Sequence, residues 1–141
     1  MAFSLREEKA LFSGDHVMAW STSIVAPPDG SMSDFMASLD KLMARDETVF
    51  YPGHGGRVEN PAKFMRGLKT HRLMREGGIL ERLKAGDRTI PEMVAVMYRD
   101  VNPKLHGAAG LSVLAHLEDL VGRGVVKTEG APSITGSYQI A

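Results

Sequence analysis

The stretch TVFYPGHGG, residues 48–56, decides how the chain is read. TVFY (48–51) is a continuous run of strand-forming residues, and PGHGG breaks it at once. A buried strand that ends in a Gly-rich turn delivers the side chain at its tip, here His54, to the edge of a sheet. A second stretch has the same form. ALFS (10–13) runs directly into Gly14-Asp15, so Asp15 stands just past a strand end as His54 does. Flanking glycines let the backbone turn sharply and leave room for a ligand beside each side chain. A carboxylate and an imidazole are good ligands for zinc, iron or manganese. Spacing alone leaves the plainer reading open: Asp15 as a turn cap and His54 as a surface loop residue.

Working outward, AFSL (2–5) and ALFS (10–13) flank a charged Arg-Glu-Glu-Lys turn and predict a β-hairpin. TSIVA (22–26) predicts another strand, ended by Pro27, Pro28 and the Asp29-Gly30 turn. A helix is expected over 32–45, with Phe35, Met36, Leu39, Leu42 and Met43 on one face and Ser31 as N-cap before Asp34. From Pro61 the pattern is helical, with Phe64, Met65, Leu68, Ile79, Leu80 and Leu83 as apolar positions. Gly77-Gly78 is expected to kink or interrupt that helix. Thr89-Ile90-Pro91-Glu92 has the form of a capping box with Pro in the first turn. The next helix buries Met93, Val94, Met97 and Val101 and ends at Asn102-Pro103. A third runs from about residue 108 to 122, with Leu111, Leu114, Leu117, Leu120 and Val121 on one face and Gly122 and Gly124 closing it. Two short strands, 125–127 and 137–140, follow. Three helices and a β-hairpin form the winged-helix pattern. The division falls into residues 1–60 and a winged-helix-like domain over 61–141, opened by a long linker helix from about residue 61.

Composition narrows the function classes. The 141 residues balance 17 basic against 17 acidic side chains, but residues 1–60 are net acidic and 61–141 net basic. That basic excess is too weak to imply nucleic acid by itself. No apolar run approaches the roughly 18 residues of a membrane span. The absence of cysteine excludes disulfides and thiolate metal sites and fits a cytoplasmic protein.

The segments LFSGDHV (11–17), WSTSIVAPPDGSMSDFMASLDKLMA (20–44) and YPGHGGRV (51–58) resemble the second half of metallo-β-lactamase-fold hydrolases. The downstream HRLMREGGIL (71–80), with three helices and a wing, resembles the winged-helix extension of one branch of that superfamily. The resemblance implies an α+β fold: the C-terminal half of an αββα sandwich, followed by a winged-helix domain. It implies two metal ions, commonly zinc, at one edge of the paired sheets. A metal-activated hydroxide would attack an ester, thioester, amide or phosphodiester of a small-molecule substrate. By matching motif, Asp15 would bridge the two metals and His54 would be the last histidine ligand of the second. Two close cations need an anionic bridge, and they lower the pKa of a shared water.

The first-half signature HxHxDH is absent. The five histidines are His16, His54, His71, His106 and His116, and no two lie two residues apart. The histidine expected before the Gly-Asp strand is missing too, so only two of the family's ligand positions are present. Zinc sites take three or more protein ligands, so this chain alone is expected to have little or no activity. The expectation is a C-terminal fragment, whether cut for expression, truncated in its gene or one half of a split protein. Its uncovered strand faces would associate with a first half or with a second copy. His16 is a weak metal candidate, read first as a polar loop residue; His71, His106 and His116 read as structural or exposed. Ser21, Thr22 and Ser23 have no paired base. Lys63, Arg66, Lys69, Arg72 and Arg75 recur every third residue, which winds them around the helix rather than aligning them as a phosphate stripe. They read as a solvated face with local pairs such as Arg72 with Glu76. The competing function is a winged-helix binding or interaction module for a protein or nucleic acid. Against nucleic acid, the third helix carries Glu118 and Asp119 with only Arg123 as a cation, plus Lys104 and Lys127 nearby. Covering the substrate entrance or forming an interface suits the extension better.

Overall fold

The computed structural model describes residues 1–19 and 23–141. It divides into two compact units. The first comprises Met1–Ile24 with Met36–Arg72, the second Val25–Phe35 with Leu73–Ala141.

In the first unit, β1 (Phe3–Leu5) and β2 (Ala10–Gly14) form the expected antiparallel hairpin, in the register Phe3 opposite Phe12. Its turn closes through the Lys9 N–H to the Arg6 carbonyl at 3.2 Å. TVFY and the following proline supply β3 (Val49–Pro52), which lies parallel to β2 with Leu11 beside Phe50 and Phe12 beside Tyr51. The sheet order is β1-β2-β3. Because side chains alternate, Leu11, Ser13 and Phe50 share one face and are buried, while Phe3, Phe12 and Tyr51 share the other and are exposed. The rings of Phe12 and Tyr51 stack at 5.5 Å on that open face.

Helix α1 spans Met32–Met43 and is capped as expected, the Ser31 hydroxyl accepting from the Asp34 N–H at 3.3 Å. Leu39 is its fully buried residue in the first unit. Residues 23–26, expected as part of a strand, are irregular. The Ala26 carbonyl accepts instead from Gly30 N–H in a tight turn at 2.8 Å, and the two prolines that follow have no N–H to offer a ladder. Ser21 and Thr22 lie outside the described residues.

Helix α2 (Pro61–Ala85) runs through Gly77-Gly78 without interruption. At Gly78 a Cβ would come within 3.1 Å of the Met97 side chain, so the small residue admits a close neighbour rather than breaking the helix.

The second unit has the winged-helix pattern: α3 (Ile90–Met97), α4 (His106–Gly122), β4 (Val126–Thr128) and β5 (Tyr138–Ile140), the last two antiparallel. Glu92 accepts from the Thr89 N–H at 2.9 Å, the expected reach-back of a capping box. Helix α3 ends at Met97, short of Asn102-Pro103. Val101 therefore lies beyond it, its N–H turned onto the Tyr98 carbonyl at 2.9 Å. His106 holds this connection, its Nε2 within 3.0 and 3.1 Å of the Tyr98 and Val101 carbonyls. One core cluster joins Ile79, Leu83, Ile90, Met93, Leu117, Leu120, Val126 and Tyr138. Leu111, expected on the buried face of α4, is 38% exposed. The Tyr138 hydroxyl bonds both backbone groups of Ser133, tying the wing loop to the core. Arg123 donates to Asp119 and Glu76, so this cation at the end of α4 is engaged within the protein. Among the described residues, no helix is long and apolar enough to cross a membrane.

Candidate metal centre

The two strand tips named in the sequence meet. Asp15 Oδ1 and His54 Nε2 are 3.5 Å apart. The parallel pairing of β2 and β3 explains it, because parallel neighbours finish at the same end of a sheet. Between Phe12 and Gly14 the register slips by one residue, a bulge that leaves Ser13 extra. Such bulges bend a strand and re-aim the side chains beyond it. Ser13 is fully buried, and its hydroxyl donates to the Val17 carbonyl at 2.8 Å, closing the turn that carries Asp15. Gly14 adopts φ +56°, which an L side chain resists.

On the other side, the PGHGG loop is closed at its base by a reciprocal pair between Phe50 and Val58, at 2.9 and 2.8 Å. The two loops are stitched to each other by backbone bonds. Gly53 N–H donates to the Gly14 carbonyl at 2.8 Å, and Ala19 N–H to the His54 carbonyl at 3.4 Å. A Cβ at Gly53 would stand 2.8 Å from Asp15 Oδ1, so the glycine keeps the space beside the carboxylate open.

Two donors bound at about 2.0–2.1 Å to a tetrahedral ion lie about 3.3–3.4 Å apart. The Asp15–His54 separation, the carboxylate–imidazole chemistry and the cleared Gly53 position therefore suit two ligands of one ion. The side chains are 72% and 61% exposed, open to a further ligand or to solvent. Among the described residues, no group of three or more His, Asp or Glu side chains forms a metal cluster. Two donors by themselves do not complete a zinc site.

His16 is half-buried, unlike its exposed neighbour Asp15. Burial chiefly, with the charge of the N-terminus, pushes its pKa below the ordinary imidazole value. Ser23, which has no paired base in the sequence, has a different place: its hydroxyl donates to the carbonyls of Asp15 and His16. Arg72, expected on a solvated face, is buried and donates to the Ser23 carbonyl at 2.5 Å. Glu76, its expected partner, accepts from Arg123 at 2.7 Å. The sequence carries no signal for this reach, because Arg72 and Ser23 lie far apart along the chain and only the fold brings them together.

Known proteins of like sequence and shape identify the family. A family model described as the beta-lactamase associated winged helix domain matches residues 89–135. A beta-lactamase-like protein 2 homolog of Caenorhabditis elegans is 32% identical over 87% of this chain and 41% of its own length. A lactamase-like protein of Aspergillus sp. strain MF297-2 is 32% identical over 70% of this chain and 33% of its own. A relative from Paecilomyces divaricatus described as an atrochrysone carboxyl ACP thioesterase is 34% identical over 70% of this chain and 32% of its own. The chain thus spans less than half the length of these relatives. Among solved structures, a metallo-beta-lactamase family protein from Thermus thermophilus superposes with TM-score 0.80 at 28% identity, over 99% of this chain and 44% of that one. A beta-lactamase domain protein from Burkholderia ambifaria shares the fold at TM-score 0.86 and 20% identity, with the same coverage. The chain belongs to the metallo-β-lactamase superfamily and corresponds to the C-terminal portion of that fold with its winged-helix extension.

Proposed function

We propose that the chain supplies the second-half metal ligands, Asp15 and His54, of a metal-dependent hydrolase acting on an ester, thioester, amide or phosphodiester. The observation that carries this reading is the 3.5 Å approach of the two side chains from separate strand ends. An ion such as zinc, when bound, supplies an acidified water and charge stabilisation. The chain's own part is to hold an anionic and a neutral donor at fixed separation beside a position kept clear by Gly53. The relative described as a thioesterase supports a thioester within this substrate range. Because HxHxDH is absent from the sequence, the remaining ligands come from a first half of the fold, and this chain alone has little or no activity.

The open aromatic face of the sheet is where such a first half, or a second copy, docks. Metal analysis tests the reading. The purified chain should carry well below one tightly held zinc, and mixing it with a separately made first half should restore metal and hydrolysis. Asp15→Asn and His54→Ala should each abolish that restoration. Full restoration in both variants would refute the assignment of the ligands.

A further inference from the structure

Asp15 and His54 project into open space, so packing around their side chains does not hold them. Their separation has to be set by the backbone beneath. The Gly53 and Ala19 bonds described above join the two loops, and a third tie comes from the side. Arg72 on α2 is only 6% exposed, and its Nη2 donates to the Ser23 carbonyl. The Ser23 hydroxyl in turn lends its single proton to the Asp15 and His16 carbonyls, 3.0 Å from the latter. Two hydrogen-bonding steps thus lead from a buried guanidinium to the backbone of the candidate ligand. Lys63 and Arg66, of the same basic series, remain on the surface. Burying a guanidinium is costly unless its donors are used, and here one is spent on the loop that carries Asp15.

We propose that Arg72 is a positioning residue: acting through Ser23, it fixes the Asp15–His16 backbone so that the Asp15 carboxylate stays opposite His54. The functional meaning of this role rests on the reading of Asp15 and His54 as ligands. The test uses the chain as it is, with Arg72→Gln, Arg72→Lys and Ser23→Ala. Residue-resolved amide exchange is followed at His16, Ala19 and Gly53, whose N–H groups form the loop bonds, with β1 and β3 as internal reference. Loss of one hydrogen bond corresponds to about tenfold faster exchange. That acceleration is expected at the three loop amides in Arg72→Gln and Ser23→Ala, with the reference strands unchanged and partial recovery in Arg72→Lys. Unaltered loop exchange would overturn the proposal, and so would equal acceleration across the sheet, which marks a purely structural arginine. If Arg72→Gln does not fold, Ser23→Ala decides by the same criterion. Paramagnetic Co2+ alone is then titrated against the His54 and Asp15 resonances, and its apparent affinity should fall by a similar factor in the variants. A wild-type chain whose His54 signals ignore Co2+ would refute the ligand reading, while the exchange result would still decide the positioning role.

Discussion

The two units finish their cores differently. In the winged helix, Met93, Leu117, Leu120 and Tyr138 are wholly buried against one another, and the wing is tied down through Tyr138. In the sheet unit, one face is buried while the other leaves Phe3, Phe12 and Tyr51 exposed by 63%, 48% and 40%. A domain that closes on itself uses its apolar residues for its own stability. A sheet with a stacked aromatic pair facing solvent is shaped for another layer. The difference separates an extension whose apolar residues are packed together from a unit that bears the candidate ligands and leaves an aromatic face exposed.

The sharpest break of this contrast is a pair of substitutions. Leu117→Ala should destabilise the second unit by about 2–5 kcal/mol, the range for emptying a filled core position, read by denaturant unfolding. Phe12→Ser should cost far less and should reduce self-association in sedimentation and binding of an apolar dye. Equal losses of stability, or a wild-type chain that sediments as a monomer without dye binding, would erase the distinction. Next in size, Thr89→Ala should cost about 1 kcal/mol by removing the cap of α3, measured by thermal unfolding. Gly77→Ala should act in the opposite direction, adding about 0.5–1 kcal/mol, because the site is helical and nothing lies within 4 Å of the new methyl. Gly78→Ala should gain less, since Met97 has to move aside.

A different test separates the units by pH. Hydrogen bonds from Arg45, assisted by Ser4 and opposed by burial, hold Glu47 down to about 2 from its ordinary 4.5. A carboxylate lowered on folding stabilises fully above its ordinary pKa and loses that contribution as pH falls through the lowered one. Acidification from 4.5 towards 2 should therefore weaken the first unit, where Glu47 joins β1 to the start of β3 through Ser4. Glu47→Gln should flatten that limb in exchange experiments at β1. An unchanged acid profile would remove this tie from the account.

Much of this is legible in the sequence because local chemistry and fold agree there. The Gly-Asp and PGHGG turns follow strongly strand-forming runs, and the winged helix is marked by a capping box and helical periodicity. The meeting of Asp15 with His54 follows from the resemblance, and the parallel register provides its geometry. Other features resist local reading. Val25 is apolar and buried without being in a strand, since burial alone does not supply a ladder partner. Gly77-Gly78 reads as a break, but α2 continues because tertiary packing outweighs a weak propensity. Arg72 reads as solvated because a step of three carries no information about what the helix later leans on. The bulge at Ser13 is likewise invisible until two strands are aligned.

Parallel pairing of β2 with β3 has a kinetic consequence. Ala10 and Val49 have to find each other across an intervening segment that includes α1, and that closure costs chain entropy before any contact repays it. The winged helix has a long closure of its own, the Tyr138 N–H reaching the Arg88 carbonyl at 2.8 Å beside the Thr89–Ser137 bridge. Asp15 and His54 face each other only once the β2–β3 closure is made, so an ion held between them would oppose its reopening.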